Sequence, residues 1–127
     1  MKRLVLFDLD DTLLAGDSDY QWGQMLIEAG VLDRATYEAR NLEFYERYKA
    51  GVLDLSEFLA FQLQPLANHS RAQLDAWHAQ FMTSKVLPMI RPGARPLLDR
   101  YRDAVTVIIT ATNRFITGPI AATLGVT

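Results

Sequence analysis

Residues 4–14 read LVLFDLDDTLL, and this stretch decides the fold. Four apolar residues run directly into Asp8, Asp10 and Asp11. An unbroken apolar run of strand length predicts a strand buried on both faces, as in a parallel α/β sheet. Ligands of open α/β sheets bind beyond the carboxyl ends of the strands. Asp8 and Asp10 are therefore predicted to lie where the chemistry takes place.

The three carboxylates of this stretch lie within four residues and repel one another. Such repulsion is relieved by protonation of one acid or by a bound cation. Magnesium prefers oxygen ligands and takes one or two carboxylates together with phosphate and water oxygens. We therefore predict a Mg²⁺ site at Asp8 and Asp10. On these residues alone, the alternative that the acids only cap a strand and open a turn stays open.

Length, charge and cysteine content limit the classes of protein to which this sequence can belong. The chain has 127 residues, half of them apolar, which predicts one domain or a little more with a real core. The net charge of -2 and the lack of a basic stripe argue against a nucleic-acid partner. There is no cysteine, so disulfides and thiolate metal sites are excluded. The first apolar run is too short for a signal peptide, and no stretch could span a membrane, which predicts a soluble cytoplasmic protein without a membrane partner.

A helical insertion follows the acidic strand end, from residue 17 to about residue 88. Apolar residues recur there at helical spacing, which predicts four amphipathic helices in a small bundle. The predicted caps and stops are Asp33, Asp54, Ser70, Gly30 and Gly51. Aromatic residues on the apolar stripes are predicted to pack in the core rather than line a pocket. They are Trp22, Tyr45, Tyr48 and Trp77. His69 and His78 have no acidic or thiol partner at metal spacing, so no zinc site is expected.

A second strand is predicted near the end of the chain. Residues 104–110 read AVTVIIT, and their β-branched content favours a strand. Polar residues follow, and then a helix that stops at Gly125. A strand, a polar loop and a helix start form a phosphate-binding arrangement, because amides and the helix dipole favour an anion.

Two motifs resemble those of the haloacid dehalogenase superfamily of phosphotransferases. Asp8-x-Asp10-x-Thr12 after an apolar strand resembles the first motif. The resemblance implies that Asp8 is the nucleophile that takes a phosphoryl group, Asp10 the general acid and base, and Thr12 a support for the turn. The strand that ends at Thr110 resembles the second motif, in which a hydroxyl and neighbouring amides bind the phosphoryl group. The implied phosphate-binding residues are Thr110, Ala111, Thr112 and Asn113.

The helical insertion is similar to the cap of the phosphoserine phosphatase-like branch. This implies an α/β fold: a partial Rossmann-like parallel sheet from residues 1–16 and 89–127, with an inserted α-helical bundle cap at 17–88. Asp17 occupies the place of an acid that faces the substrate ammonium in this branch, although helix capping is an equal alternative. Arg47 is a candidate to hold a carboxylate or phosphate. The implied partner is a small phosphorylated metabolite, histidinol phosphate or phosphoserine foremost.

The chain lacks counterparts of the family's third motif, a lysine, and fourth motif, acidic metal ligands. We therefore expect the N-terminal part of a longer hydrolase or a chain completed by a partner, and a naturally short variant is the alternative. Two parallel apolar strands are buried on both faces only if further elements join them, so self-association through the incomplete sheet is also expected. A non-catalytic phosphate-binding or metal-binding regulatory relative is the main alternative. A receiver-type phosphoacceptor is ranked last, because there a helix follows the acidic strand directly.

Overall fold

The structure is a computed structural model that describes residues 3–126. The chain forms two parallel strands and seven α-helices within this range. In chain order they are β1 (Leu4–Asp8), α1 (Ser18–Glu28), α2 (Arg34–Lys49), α3 (Leu55–Ala67), α4 (Arg71–Phe81), α5 (Leu87–Met89), α6 (Ala94–Arg100), β2 (Val105–Ile109) and α7 (Arg114–Leu124). A widened helical turn, Met82–Val86, joins α4 to α5. The predicted α/β class is confirmed.

The sheet consists of β1 and β2, paired in parallel from Leu4 opposite Val105 to Asp8 opposite Ile109. Parallel pairing brings the carboxyl ends of both strands to the same edge. The loop that follows β1 and the loop that follows β2 therefore begin side by side. This register places the acidic stretch next to the threonine-rich loop.

The chain divides into two compact units. Leu26–Trp77 forms one, which we call the helical unit. The flanking parts of the chain, up to Met25 and from His78, form the other, which we call the sheet unit. The predicted domain boundaries, with a cap at 17–88, stay a prediction.

The helical unit is organised around Phe44 of α2, which is buried against Phe58 and Phe61 of α3 with ring centroids 5.3 and 5.2 Å apart. The predicted caps are in place: the carboxylate of Asp33 accepts from the Thr36 amide at 2.9 Å, and that of Asp54 accepts from the Glu57 amide at 3.2 Å. Both helices therefore begin where the sequence predicts.

Two aromatic residues of α2 correct the prediction of core packing. Tyr45 is 55% exposed and Tyr48 is 67% exposed. Phe44 takes the inward position, and the next residue lies roughly 100° further round the helix, so Tyr45 points away from α3. Trp22 of α1, in the sheet unit, is buried as predicted.

The core of the sheet unit lies on one side of the sheet. Its buried apolar residues come from β1, the turn after it and α7, and they include Phe7, Leu9, Leu13, Ile116, Ile120 and Leu124. On the other face of the sheet, Leu4 is 63% exposed and Leu6 is 52% exposed. Within residues 3–126, β1 is therefore buried on its Phe7 face only, which agrees with the expectation that burial of both faces requires further elements.

No helix within residues 3–126 is long and apolar enough to cross a membrane. The expected cytoplasmic location stays a prediction.

Candidate active site

A wide turn, Leu9–Leu13, follows β1 and is closed by the Leu14 amide, which donates to the Leu9 carbonyl at 3.0 Å. Asp11 lies in the left-handed region with a φ of 60°, which aspartate tolerates better than most residues. Its amide donates to the Gly16 carbonyl at 2.9 Å. The turn therefore reverses the chain immediately after Asp10 and brings it back to the start of α1.

Three donors from two segments hold the side chain of Asp10. Oδ1 accepts from the Ser18 amide at 2.7 Å, at the start of α1. Oδ2 accepts from the hydroxyls of Thr112 at 2.9 Å and Thr110 at 3.3 Å, in the loop after β2. Both carboxylate oxygens thus have protein donors, and Asp10 has a fixed orientation at the meeting point of the two loops.

Asp8 is the last residue of β1, and its side chain is exposed. Oδ2 accepts from the Thr12 hydroxyl at 2.7 Å, so Thr12 orients this carboxylate across the turn. Of the two predicted catalytic acids, Asp8 is the one that solvent reaches more freely.

The loop after β2 connects directly to α7. The Thr112 amide donates to the Thr110 hydroxyl at 3.1 Å, and Asn113 caps α7 by accepting from the Ile116 amide at 3.1 Å. Ala111 lies exposed between the two threonines. The structure thus brings Thr110 and Thr112 to Asp10 and sets Asn113 at a helix start, where the dipole favours an anion.

Asp17 lies immediately before α1. Its Oδ1 accepts from the amides of Asp19 at 2.9 Å and Tyr20 at 3.1 Å, which is the geometry of a helix cap. The capping alternative therefore describes Asp17 in this structure. Its predicted role toward a substrate stays a prediction.

Arg47 lies in the helical unit, in a network of four charged side chains. Its guanidinium contacts Glu43 and, at 3.5 Å, Glu57. Arg40 contacts the same two glutamates, each at 3.0 Å. Arg47 is thus engaged within its own unit, and its substrate role stays a prediction.

Three residues near the turn were not predicted from the sequence. Ser18 contributes through its backbone amide, which every residue other than proline has. Arg91 donates from its amide to the Leu13 carbonyl at 3.0 Å and from its guanidinium to the Asp11 carbonyl at 3.4 Å. Asp19 lies in the first turn of α1, where the Asp17-Ser18-Asp19 pattern was a signal that sequence analysis passed over.

The carboxyl of Asp19 has an unusual environment. Burial, and then the charges of Asp17 and Asp10, raise its pKa from 3.8 to about 6. Negative charge is therefore concentrated where α1 begins.

The raised pKa of Asp19 predicts a pH-dependent stability. The folded protein holds this proton up to about pH 6 and the unfolded chain only up to about 3.8, so the free energy of unfolding falls as pH rises through that window. Asp19→Asn should raise the free energy of unfolding at pH 7 by about 1–3 kcal/mol and change it little at pH 3.5. Urea unfolding at both pH values measures this, with the exposed Asp103→Asn as control. An equal gain at both pH values would contradict the assignment.

The residues of the turn fit part of a magnesium site. Asp8 offers an exposed carboxylate, whereas both side-chain oxygens of Asp10 are engaged by protein donors, which leaves its backbone carbonyl as a further oxygen ligand. Within residues 3–126, no group of three or more acidic, histidine or cysteine side chains could hold a metal ion. The ligand set in this part of the chain is therefore small.

Comparison with known proteins agrees with this geometry. Residues 5–127 match the family of haloacid dehalogenase-like hydrolases. A histidinol-phosphatase from Neisseria meningitidis serogroup C (strain 8013) is 43% identical over 129 residues, a match that covers all of this chain and 58% of the relative. A crystal structure of a protein of unknown function from Bordetella pertussis Tohama I superposes with a TM-score of 0.89 at 39% identity, covering all of this chain and 59% of the other. The chain thus spans somewhat less than three fifths of both relatives.

Proposed function

Since the chain belongs to the haloacid dehalogenase-like hydrolases, we propose that the whole protein is a magnesium-dependent phosphatase of small phosphomonoesters. One observation carries the proposal. The exposed carboxylate of Asp8, the fixed carboxylate of Asp10 and the hydroxyl loop at Thr110 and Thr112 meet at one edge of the sheet.

The reaction would proceed in two balanced steps. A carboxylate oxygen of Asp8 attacks phosphorus, the bond from phosphorus to the ester oxygen breaks, and Asp10 gives a proton to the leaving alkoxide. Water then attacks the aspartyl-phosphate, Asp10 takes its proton, and inorganic phosphate leaves with Asp8 restored. The exposure of Asp8 supports its role as the nucleophile, and the three donors on Asp10 fix the orientation of its carboxyl group.

Thr110 and Thr112 would bind the phosphoryl group together with the amides of Ala111 and Asn113. Each hydroxyl has a single proton and can donate it to one acceptor at a time. In this structure that acceptor is Oδ2 of Asp10. An incoming phosphate would therefore take these two donors from Asp10 and free its Oδ2 for proton transfer.

Magnesium, when bound by Asp8 and Asp10, would reduce the repulsion between the nucleophile and the anionic substrate. Because few ligands come from this part of the chain, we expect millimolar or weaker Mg²⁺ affinity for the 127-residue chain by calorimetry. Asp8→Asn should remove the residual heat. Micromolar binding that Asp8→Asn abolishes would show instead that these residues form a complete site.

The proposed substrate is a phosphorylated amino alcohol or amino acid, with histidinol phosphate or phosphoserine foremost. Two features support a cationic group beside the phosphate: the acids Asp17 and Asp19 at the start of α1, and the 43% identity to a histidinol-phosphatase. A carboxylate at a desolvated entrance pairs with an ammonium group. Sugar phosphates lack that group.

A panel of phosphate esters tests the function and its substrate together. The whole protein with magnesium should hydrolyse amino alcohol and amino acid phosphates in preference to sugar phosphates, by about tenfold or more in kcat/KM. Asp17→Asn keeps a good helix cap but removes the charge, whereas Asp17→Ala removes both. Loss of the preference in both variants supports a role for the Asp17 charge.

Two other outcomes of the panel would correct the proposal. If Asp17→Asn retains the preference, Asp17 is only a helix cap, and the substrate inference loses that support. If no ester is hydrolysed under any condition, the protein is a non-catalytic regulatory relative.

A further inference from the structure

His78 of α4 is buried in the sheet unit and makes one hydrogen bond to the backbone of α7. Its Nε2 lies 2.9 Å from the carbonyl oxygen of Ile116. Because a carbonyl oxygen only accepts, Nε2 must carry the proton of this bond. The bond joins residues 38 positions apart in the chain.

Three aromatic rings surround His78. The ring centroids of Phe81 and Phe115 lie 5.3 Å away at nearly perpendicular angles, and that of Trp22 lies 5.7 Å away. Trp22 also packs edge-on against Phe115 at 5.6 Å. Such packing fixes the plane of the imidazole and therefore the direction of its N–H.

The hydrogen bond reaches α7 within one turn of a proline. Pro119 lies inside this helix and has no N–H, so it cannot donate to the Phe115 carbonyl one turn earlier. Ile116 is the next residue after Phe115. His78 thus donates to the backbone of α7 in its first turn and ties that turn to α4.

The contacts of His78 with Trp22 and Ile116 connect it to both segments that hold Asp10. Trp22 lies one turn after Ser18, whose amide holds Oδ1 of Asp10. The first turn of α7, held by His78, directly follows the loop whose two hydroxyls hold Oδ2. His78 therefore contacts α1, whose start holds Oδ1 of Asp10, and α7, which follows the loop that holds Oδ2.

We propose that His78 is a positioning residue for Asp10: by donating to the Ile116 carbonyl and packing on Trp22 and Phe115, it sets the start of α7 relative to that of α1. The inference rests on the proposed role of Asp10 as general acid. Without the Nε2 donor, the first turn of α7 shifts, and the threonine hydroxyls no longer direct Asp10 at the leaving oxygen.

The test compares leaving groups in the whole protein with magnesium. Only a poor leaving group such as an alkoxide needs a proton from Asp10, whereas p-nitrophenolate leaves without one. His78→Phe keeps an aromatic ring but removes the donor. We expect its kcat for an alkyl phosphate to fall about tenfold more than its kcat for p-nitrophenyl phosphate, since misplacement by a fraction of an ångström has this order of effect.

Two further variants separate positioning from simple packing. Gln places an amide N–H near the position of Nε2, so His78→Gln should restore the ratio of the two rates, whereas the shorter Asn of His78→Asn should not. The matched control is His69→Phe, the same change at the other histidine, which packs on Trp77 in the helical unit. It should leave the ratio unchanged.

Asp10→Asn is the reference variant that separates the positioning role of His78 from the proposed role of Asp10 as general acid. If Asp10→Asn shifts the ratio and a folded His78→Phe does not, the positioning role of His78 is overturned while the proposed function stands. If Asp10→Asn leaves the ratio unchanged and p-nitrophenol is released without a burst, Asp10 is not the general acid and the inference falls with that assignment. Should His78→Phe fail to fold, His78→Gln and His78→Asn replace it in the test. Equal ratios of the two kcat values in these variants would refute the inference.

Discussion

Asp8→Asn should lower the phosphatase turnover of the whole protein by on the order of 10⁴-fold or more, because it removes the attacking oxygen. The amide of Asn is a poor nucleophile toward phosphorus and cannot form the aspartyl-phosphate. The fold should survive, since Asp8 is exposed and the Thr12 hydroxyl that donates to it can still donate to the amide oxygen of Asn. Inorganic phosphate release, with circular dichroism to verify folding, measures the effect.

Asp11→Asn is the matched control for this experiment. It removes one negative charge from the same turn, and asparagine also tolerates the left-handed φ of 60° found there. Turnover should stay within about threefold of the wild type, as for surface substitutions that touch no reacting atom. A similar loss in both variants would indicate that the charge of the turn, rather than the Asp8 oxygen, sustains activity. Near-normal turnover of Asp8→Asn would remove Asp8 from the mechanism.

The meeting of Asp10 with Thr110 and Thr112 could be predicted from the sequence. Both stretches follow apolar runs of strand length, and parallel strands present their carboxyl ends at one edge. The helix caps at Asp33, Asp54 and Ser70 could be predicted equally well, because capping depends on a local side chain and an amide two or three residues later. Such features are encoded within a few neighbouring residues.

Other features depend on contacts between segments that are distant in sequence and meet only in the folded chain. The Ser18 amide on Asp10 has no side-chain signature, and the hydrogen bond from His78 to Ile116 joins distant segments. The apolar pattern predicted covered strands, yet Leu4 and Leu6 are exposed, because a pattern states what a face prefers and not which element covers it. The prediction that Tyr45 packs in the core was wrong for a similar reason, because the neighbouring Phe44 already occupies the inward-facing position of α2.

The hydrogen bonds of Asp10 also determine what its replacement should do. In Asp10→Asn, the amide oxygen can still accept from the Ser18 amide, and the amide N–H groups can donate to the hydroxyl oxygens of Thr110 and Thr112, which accept as well as donate. The fold should therefore be retained, which a thermal melt within a few degrees of the wild type would verify.

Without a carboxylic acid at this position, the leaving alkoxide receives no proton from the protein. Asp10→Asn should accordingly lower kcat for an alkyl phosphate by about 10²–10⁴-fold, the usual contribution of a general acid. The loss for p-nitrophenyl phosphate should be smaller, because its leaving group is stable as an anion, although the hydrolysis of the aspartyl-phosphate would still lack a base. A burst of p-nitrophenol followed by a slow steady state would identify that second defect. Equal losses on both esters without a burst would mean that Asp10 acts only by holding the two loops together.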